Sequence, residues 1–131
     1  MKILDSDVCI EILRGNVEVI ERRRNVDDEV ATTWITAAEL AYGAEKSRDP
    51  ERNVTLVTEF LATLPIVGLD QIAALEFGRR KAKLERAGMR VADADLLIAA
   101  IALANGASVV TGNRKHYERI EGLRTEDWIR G

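Results

Sequence analysis

The segment at residues 91–106 is VADADLLIAAIALANG, in which two aspartates come directly before nine consecutive apolar residues, 96–104. A helix of these residues is apolar on every face, so it must be central in the fold. A carboxylate shielded from water is costly unless a cation or a hydrogen-bond donor compensates its charge. The chain therefore needs layers that cover this helix and a compensating group near its first turn.

Short apolar runs alternate with longer helical patterns along the chain. Strands are predicted at residues 2–4, 30–35, 66–69 and 108–111, with a further one at 123–125. Helices are predicted at residues 7–13, 17–24, 36–46, 50–64, 71–87 and 93–105, with a helical turn at 115–118. Strands separated by helices favour a parallel sheet covered on both faces. We expect an α/β fold in one domain, 1–131, with a mostly parallel central sheet of four to five strands flanked by helices.

Several residues predict where helices begin. The TAAE motif has the capping-box pattern, with Thr36 as N-cap and Glu39 at the third helical position. Pro50 suits the first turn of its helix, and Asp70 is expected to cap the next one. Asp93 is expected to be the N-cap of the apolar helix, because an aspartate there accepts bonds from free N–H groups.

Composition limits the classes of function. Cys9 is the only cysteine and His116 the only histidine, which excludes an internal disulfide and zinc sites built from Cys and His. No apolar run approaches the ~18 residues of a membrane span, and the N-terminus lacks the features of a signal peptide, so we expect a cytoplasmic protein. Because zinc sites built from Cys and His are excluded, any metal ion must be held by oxygen ligands.

Polar residues from four separate segments are expected at one edge of the sheet: Asp5, Glu39, Asp95 and Asn113. Asp5 and Asn113 follow strands, Glu39 lies in the first turn after a strand, and Asp95 lies in the first turn of its own helix. Ligands of open parallel sheets bind outside the carboxyl ends of the strands. Acids brought close together repel one another, and no lysine or arginine adjoins them in sequence. A divalent cation is the expected compensator, and oxygen ligands favour Mg²⁺ or Mn²⁺.

Each of these acids also has a purely structural interpretation. Asp5 is explained equally by a turn at the end of a strand, Glu39 by the capping box, and Asp95 by the dipole of its helix. These interpretations leave the convergence of three acids without a cation unexplained.

Four segments in the same order resemble PIN-domain ribonucleases: ILDSD, AAELAYGAEKS, DLLIAAIA, and VVTGN followed by YERIEGLRTEDW. The resemblance covers essentially the whole chain and is greatest for the VapC toxins of type II toxin–antitoxin modules. It implies a PIN-like three-layer fold, Mg²⁺- or Mn²⁺-dependent endonuclease activity on RNA, and a homodimer. It also implies a VapB-type antitoxin that occupies the active site and carries the complex to operator DNA.

The resemblance assigns catalysis and metal binding to Asp5, Glu39 and Asp95. Residues expected to support the site are Ser6, Asp7, Asn113 and His116. Asn113 stands where many relatives have aspartate, which puts a fourth carboxylate in doubt. An exposed turn residue without a role is the favoured alternative for His116.

The segments AYGAEKSRDPERN and GLRTEDW resemble the branch that cuts initiator tRNA in its anticodon loop, so a tRNA is the expected substrate. A single-stranded loop offers an accessible phosphate more readily than a duplex does. Because the net charge is −3, local basic groups must hold the RNA. The RNA-binding candidates are Arg79, Arg80, Lys81, Lys83 and Arg114.

The partner surfaces are expected on the helices at 36–46 and 50–64, where four apolar residues exceed the apparent needs of one core: Leu40, Tyr42, Phe60 and Leu61. Burial of all four in the core is the alternative. Two other function classes also remain open. Asn113 would suit a PIN-like binding module that has lost catalysis, and DSD after a strand resembles haloacid-dehalogenase phosphatases, which leave Glu39 unexplained.

Overall fold

The structure is a computed structural model that describes every residue, 1–131. Its strands are β1 (Lys2–Leu4), β2 (Val30–Thr33), β3 (Ile66–Val67), β4 (Ser108–Val110) and β5 (Thr125–Glu126). Its helices are α1 (Ser6–Leu13), α2 (Val17–Asn25), α3 (Trp34–Glu45), α4 (Pro50–Leu61), α5 (Gln71–Arg86) and α6 (Asp93–Ala104). A short 3₁₀ turn covers Arg114–His116. The predicted order of strands and helices is confirmed, with boundaries moved by a few residues.

The five strands form one sheet in the order β3-β2-β1-β4-β5, and every neighbouring pair is parallel. The central strand β1 pairs with β2 on one side, Lys2 opposite Val30, and with β4 on the other, Lys2 opposite Ser108. The chain moves outward from β1 through β2 to β3 and then returns to the far side of β1. This reversal between β1 and β4 places a crevice at their carboxyl ends, the usual position of a ligand site in such sheets.

Helices cover both faces of the sheet. Ile3 and Leu4 are successive residues of β1, and they join two different hydrophobic clusters of 11 buried residues each. Because side chains alternate along a strand, the two clusters lie on opposite faces. Buried residues of α5 and α6 belong to the first cluster, and those of α1 to α4 belong to the second. The predicted three-layer arrangement is confirmed.

The apolar helix α6 occupies the centre of the first face, as its sequence predicts. Ile98, Ala99 and Ile101 have no exposed surface, and Leu96 is 1% exposed. No helix of the structure is both long enough and apolar enough to cross a membrane. The prediction of exposed apolar residues on α3 and α4 is wrong for Leu40 and Phe60, which are buried in the second cluster.

The predicted capping box at the start of α3 is also wrong. The N-cap is Thr33, whose hydroxyl accepts a hydrogen bond from the Thr36 N–H at 3.1 Å. The helix therefore begins at Trp34, and Glu39 lies in its second turn instead of its first. Both threonines satisfy the capping preference, and the earlier one ends β2 in buried surroundings, where its hydroxyl oxygen accepts a hydrogen bond from an otherwise free N–H.

The predicted cap of α6 is wrong as well. Ala92 is the N-cap, no side chain caps this helix, and Asp93 is its first residue. The Asp93 carboxylate instead lies 3.0 Å from Lys81 Nζ on α5. The other two starts are confirmed, with Pro50 in the first turn of α4 and Asp70 accepting a bond from the Ala73 N–H at 2.9 Å.

Candidate active site

Asp5 lies at the centre of the crevice, between the end of β1 and the start of α1. Its Oδ1 accepts a hydrogen bond from the Ser6 N–H at 2.8 Å. Its Oδ2 accepts one from the Thr111 hydroxyl at 3.0 Å and another from the Tyr117 hydroxyl at 2.8 Å. Asp5 is only 5% exposed and forms no salt bridge, so neutral donors alone compensate its charge.

Asp95 comes to Asp5 from the first turn of α6. Burial and the negative charge of Asp5 together raise the pKa of the Asp95 carboxyl. The His116 imidazole acts in the opposite direction, with Nδ1 lying 3.5 Å from Asp95 Oδ2. His116 is more than half exposed, and no lysine or arginine pairs with Asp95.

Glu39 approaches the same acids from α3. Desolvation and the charges of Asp5 and Asp95 raise the pKa of the Glu39 carboxyl, and the Ser6 hydroxyl opposes that shift. Glu39 is an exposed residue, so solvent screens part of both effects. The three predicted ligands are therefore brought within electrostatic range of one another, without a lysine or arginine between them.

Asp7 faces the loop that follows β4. Its Oδ2 accepts hydrogen bonds from the Gly112 N–H at 2.8 Å and from the Asn113 side-chain amide at 3.2 Å. Burial and the charge of Asp5 raise the pKa of the Asp7 carboxyl. A Cβ at Gly112 would lie 2.8 Å from Asp7 Oδ2, so a larger residue there would force neighbouring side chains to shift. Asn113 thus bonds to an acid of the cluster with its amide nitrogen.

Thr111 and Tyr117 were missed by sequence reasoning, although both lie in the segments that resemble the family. Thr111 is fully buried and Tyr117 is 1% exposed. Burial and the charges of Asp5, Asp95 and Glu39 raise the pKa of the Tyr117 hydroxyl, so it stays protonated and donates. One sequence signal could have found Thr111. It is a hydroxyl residue directly after β4, and in a parallel sheet that position lies beside the end of β1.

The predicted RNA-binding residues lie on two surfaces. Arg79 and Arg80 bond to Glu76, Lys81 pairs with Asp93, and Lys83 lies 3.2 Å from Glu121. These four side chains of α5 thus already have acidic partners. Arg114 differs, because it bonds to the hydroxyl and carbonyl of Thr125 and lies one residue from Asn113.

The chemistry of the donors suits Mg²⁺ or Mn²⁺. Carboxylate oxygens with unneutralised mutual repulsion are the ligands that hard divalent cations prefer. In the conformation described, no group of three or more acidic, histidine or cysteine side chains is arranged to hold one ion. The acids are therefore gathered at one place but not closed around a common point.

The family is shown by direct comparison of the sequence. The profile of the PIN domain matches residues 2–123. The chain belongs to the PIN domain family. The resemblance of the four sequence segments is thereby confirmed.

Similar PIN-domain proteins include two whose names describe them as an endonuclease and a ribonuclease. The chain is 40% identical over 126 residues to the "tRNA(fMet)-specific endonuclease VapC" of Salmonella typhimurium, covering 95% of this chain and 96% of that protein. It is 37% identical over 127 residues to "Ribonuclease VapC2" of Haemophilus influenzae, covering 96% of each.

Solved structures also resemble this PIN domain. The DNA-bound VapBC complex of Salmonella typhimurium matches with a TM-score of 0.89 at 40% identity, covering 97% of both chains. VapBC2 of Rickettsia felis, bound to a DNA fragment from its promoter, matches with a TM-score of 0.90 at 29% identity, covering 97% of this chain and 98% of that one.

Proposed function

We propose that this PIN domain is a metal-dependent endoribonuclease toxin of a type II toxin–antitoxin module. The observation that carries the proposal is the gathering of Asp5, Glu39 and Asp95 at the carboxyl edge of the sheet. Two of these acids have raised pKa values, and none pairs with lysine or arginine. The names of the relatives, which are ribonucleases and endonucleases, support the same activity.

The three acids are proposed to hold Mg²⁺ or Mn²⁺. When bound, such an ion supplies an activated water and stabilises negative charge on a phosphate. Asp5 is fixed at the centre by its hydrogen bonds, while Asp95 and Glu39 approach it from α6 and α3. Ser6 and Asp7 lie beside them, and Asn113 and His116 border the crevice. By the family resemblance, the 3′ oxygen would be the leaving group of this hydrolysis, so the RNA ends would carry a 5′-phosphate and a 3′-hydroxyl.

A tRNA is the proposed substrate, with the anticodon loop of initiator tRNA as its most specific form. The relative from Salmonella typhimurium carries that specificity in its name. A bent, single-stranded loop presents a phosphate that an open crevice can reach. The basic residues of α5 and Arg114 are proposed to contact the RNA backbone, so binding should weaken as salt rises.

The phosphatase alternative has no support in the crevice. No lysine contacts Asp5 or Asp7, and the second aspartate of the DSD motif bonds to Gly112 and Asn113. A binding module without catalysis is the alternative that the experiment below separates from the nuclease.

The deciding experiment is to express the protein and sequence RNA 5′-monophosphate ends in the cell, with Asp95→Asn as the matched control. We expect new ends concentrated in one tRNA loop for the natural protein and none for the variant. Ends spread over messenger RNAs would overturn the tRNA proposal. Equal ends with both proteins would overturn the assignment of Asp95, and no new ends would favour the binding module.

A homodimer and a VapB-type antitoxin are the proposed partners, since two of the matched structures are VapBC complexes bound to DNA. The antitoxin is expected to place an arginine or lysine against the carboxylates, because a cation there competes with the metal. Tyr42, which is 66% exposed on α3, remains available to a partner. Sedimentation at micromolar concentration tests the dimer, and a monomer alone would contradict it.

A further inference from the structure

Asp5 has nearly all its hydrogen-bonding capacity in use. An ionised carboxylate has about four lone-pair positions, two on each oxygen. The Thr111 and Tyr117 hydroxyls occupy both positions on Oδ2, and the Ser6 N–H occupies one on Oδ1. One lone pair, on Oδ1, is left for a further ligand.

The two hydroxyls are held firmly in place. Tyr117 is among the largest fully buried side chains, and its ring belongs to the first hydrophobic cluster together with Leu96 and Ile98. Thr111 is buried at the end of β4, and its hydroxyl also accepts a bond from the Asn113 N–H at 3.0 Å. Neither donor can follow Asp5 if the carboxylate turns, so together they fix its orientation.

We propose that Tyr117, with Thr111, is a positioning residue that restricts Asp5 to binding an ion through Oδ1 alone and thereby favours Mg²⁺ over Ca²⁺. Mg²⁺ requires near-octahedral geometry with single oxygen contacts, whereas Ca²⁺ takes six to eight oxygens and often both oxygens of one carboxylate. A carboxylate with Oδ2 blocked suits the first ion and not the second. The inference rests on the proposed function, because it assumes that Asp5 is a metal ligand.

A structural role alone is the competing explanation, since Tyr117 also fills the core. It predicts that loss of the hydroxyl changes stability without changing the choice of ion. The positioning role predicts a change in ion preference, because Tyr117→Phe frees a lone pair on Oδ2 and keeps the ring in the cluster. Ion preference therefore separates the two roles without reference to cleavage.

The test is calorimetric titration of the metal-free protein with Mg²⁺ and with Ca²⁺, in the absence of RNA. We expect Tyr117→Phe to lower the preference for Mg²⁺ over Ca²⁺ by about tenfold, which matches the lower end of the change in metal affinity when a hydrogen-bond partner of a ligand is removed. Thr111→Val should act in the same direction, and Thr111→Ser, which keeps a hydroxyl, should restore the natural preference. Ser108→Ala is the matched control, because it removes a hydroxyl at the opposite end of β4 from Thr111.

An unchanged ion preference in folded Tyr117→Phe and Thr111→Val proteins would overturn the positioning role and leave the nuclease proposal intact. If Tyr117→Phe does not fold, the comparison of Thr111→Val with Thr111→Ser decides the question. Failure of the natural protein to bind either ion would overturn both proposals together.

Discussion

Carboxylates occur in two regions of this molecule with opposite surroundings. In the crevice, Asp95 has a raised pKa because of burial and the charge of Asp5. On the surface of α5, burial also acts to raise the pKa of Glu76, but hydrogen bonds and charges from Arg79 and Arg80 outweigh it and hold that pKa below its usual value. Glu76 on the surface of α5 pairs with neighbouring arginines, whereas the three predicted ligands in the crevice have no lysine or arginine partner.

The contrast is sharpest within α6. Asp93 and Asp95 are two residues apart, which rotates their side chains by ~200° about the helix axis. Asp93 therefore turns to Lys81 on α5, while Asp95 turns to Asp5 and His116. The surroundings of the two aspartates differ because their side chains point in different directions from the helix, and not because of residue type. An acidic side chain without a lysine or arginine partner is thus a better indicator of the candidate site than the presence of an acidic residue.

The largest expected effect comes from breaking the contrast at α6. Asp95→Asn should lower RNA cleavage by at least ~100-fold, because loss of a ligand should exceed the ~10–100-fold cost of losing a ligand's own hydrogen-bond partner. Asp93→Asn, its neighbour on the same helix, should leave cleavage close to that of the natural protein. Initial rates on a purified tRNA measure both, and similar losses in the two variants would contradict the contrast.

A second effect concerns stability without metal. Because the pKa of Asp95 is higher in the folded protein than its ordinary value of 3.8, protonation of this carboxyl stabilises the fold. The stabilisation is complete below pH 3.8 and is lost as the pH rises through the pKa of the folded state. At neutral pH the Asp95 charge therefore destabilises the metal-free fold. Asp95→Asn should raise the free energy of unfolding by up to about 1 kcal/mol at pH ~7, and the gain should vanish in acid. Thermal unfolding in a chelator measures this.

The control for that effect is Glu76→Gln, for which the sign reverses. Because the pKa of Glu76 is lower in the folded protein than its ordinary value of 4.5, the ionised carboxylate stabilises the fold. This stabilisation is present above pH 4.5 and is lost as the pH falls through the pKa of the folded state. Loss of this charge should therefore destabilise the protein at neutral pH. A gain in stability from both variants would show that the two regions do not differ as described.

The smallest effect concerns RNA affinity. Arg114 has no acidic partner and lies beside the crevice, whereas Arg79 is engaged by Glu76. In an Asp95→Asn background that prevents cleavage, Arg114→Ala should reduce the salt dependence of binding by about 0.7 per lost phosphate contact. Arg79→Ala should change it less. Fluorescence anisotropy with an anticodon stem-loop measures both slopes, and a larger change for Arg79→Ala would reverse the assignment.

Local patterns in the sequence predict the strands and helices and the acids of the candidate site. The apolar run of α6 predicts a central helix, because such a helix has no face suited to water. Alternation of strands with helices predicts a parallel sheet, and a parallel sheet brings the residues after β1 and β4 to one edge. Asp5 and Asn113, which follow β1 and β4, are accordingly predicted at one edge of the sheet from the sequence pattern alone.

The sequence by itself determined which segments form strands and helices and which edge gathers the acids, since periodicity and strand direction are local or topological properties. Only the tertiary structure decided which partner each polar side chain takes. Thr33 and not Thr36 caps α3, and Asp93 pairs with Lys81 instead of capping α6. Tyr117 reaches Asp5 across 112 positions of chain. Residues of similar chemistry compete for the same hydrogen-bond partner, and the distances that decide between them exist only once both faces of the sheet are packed.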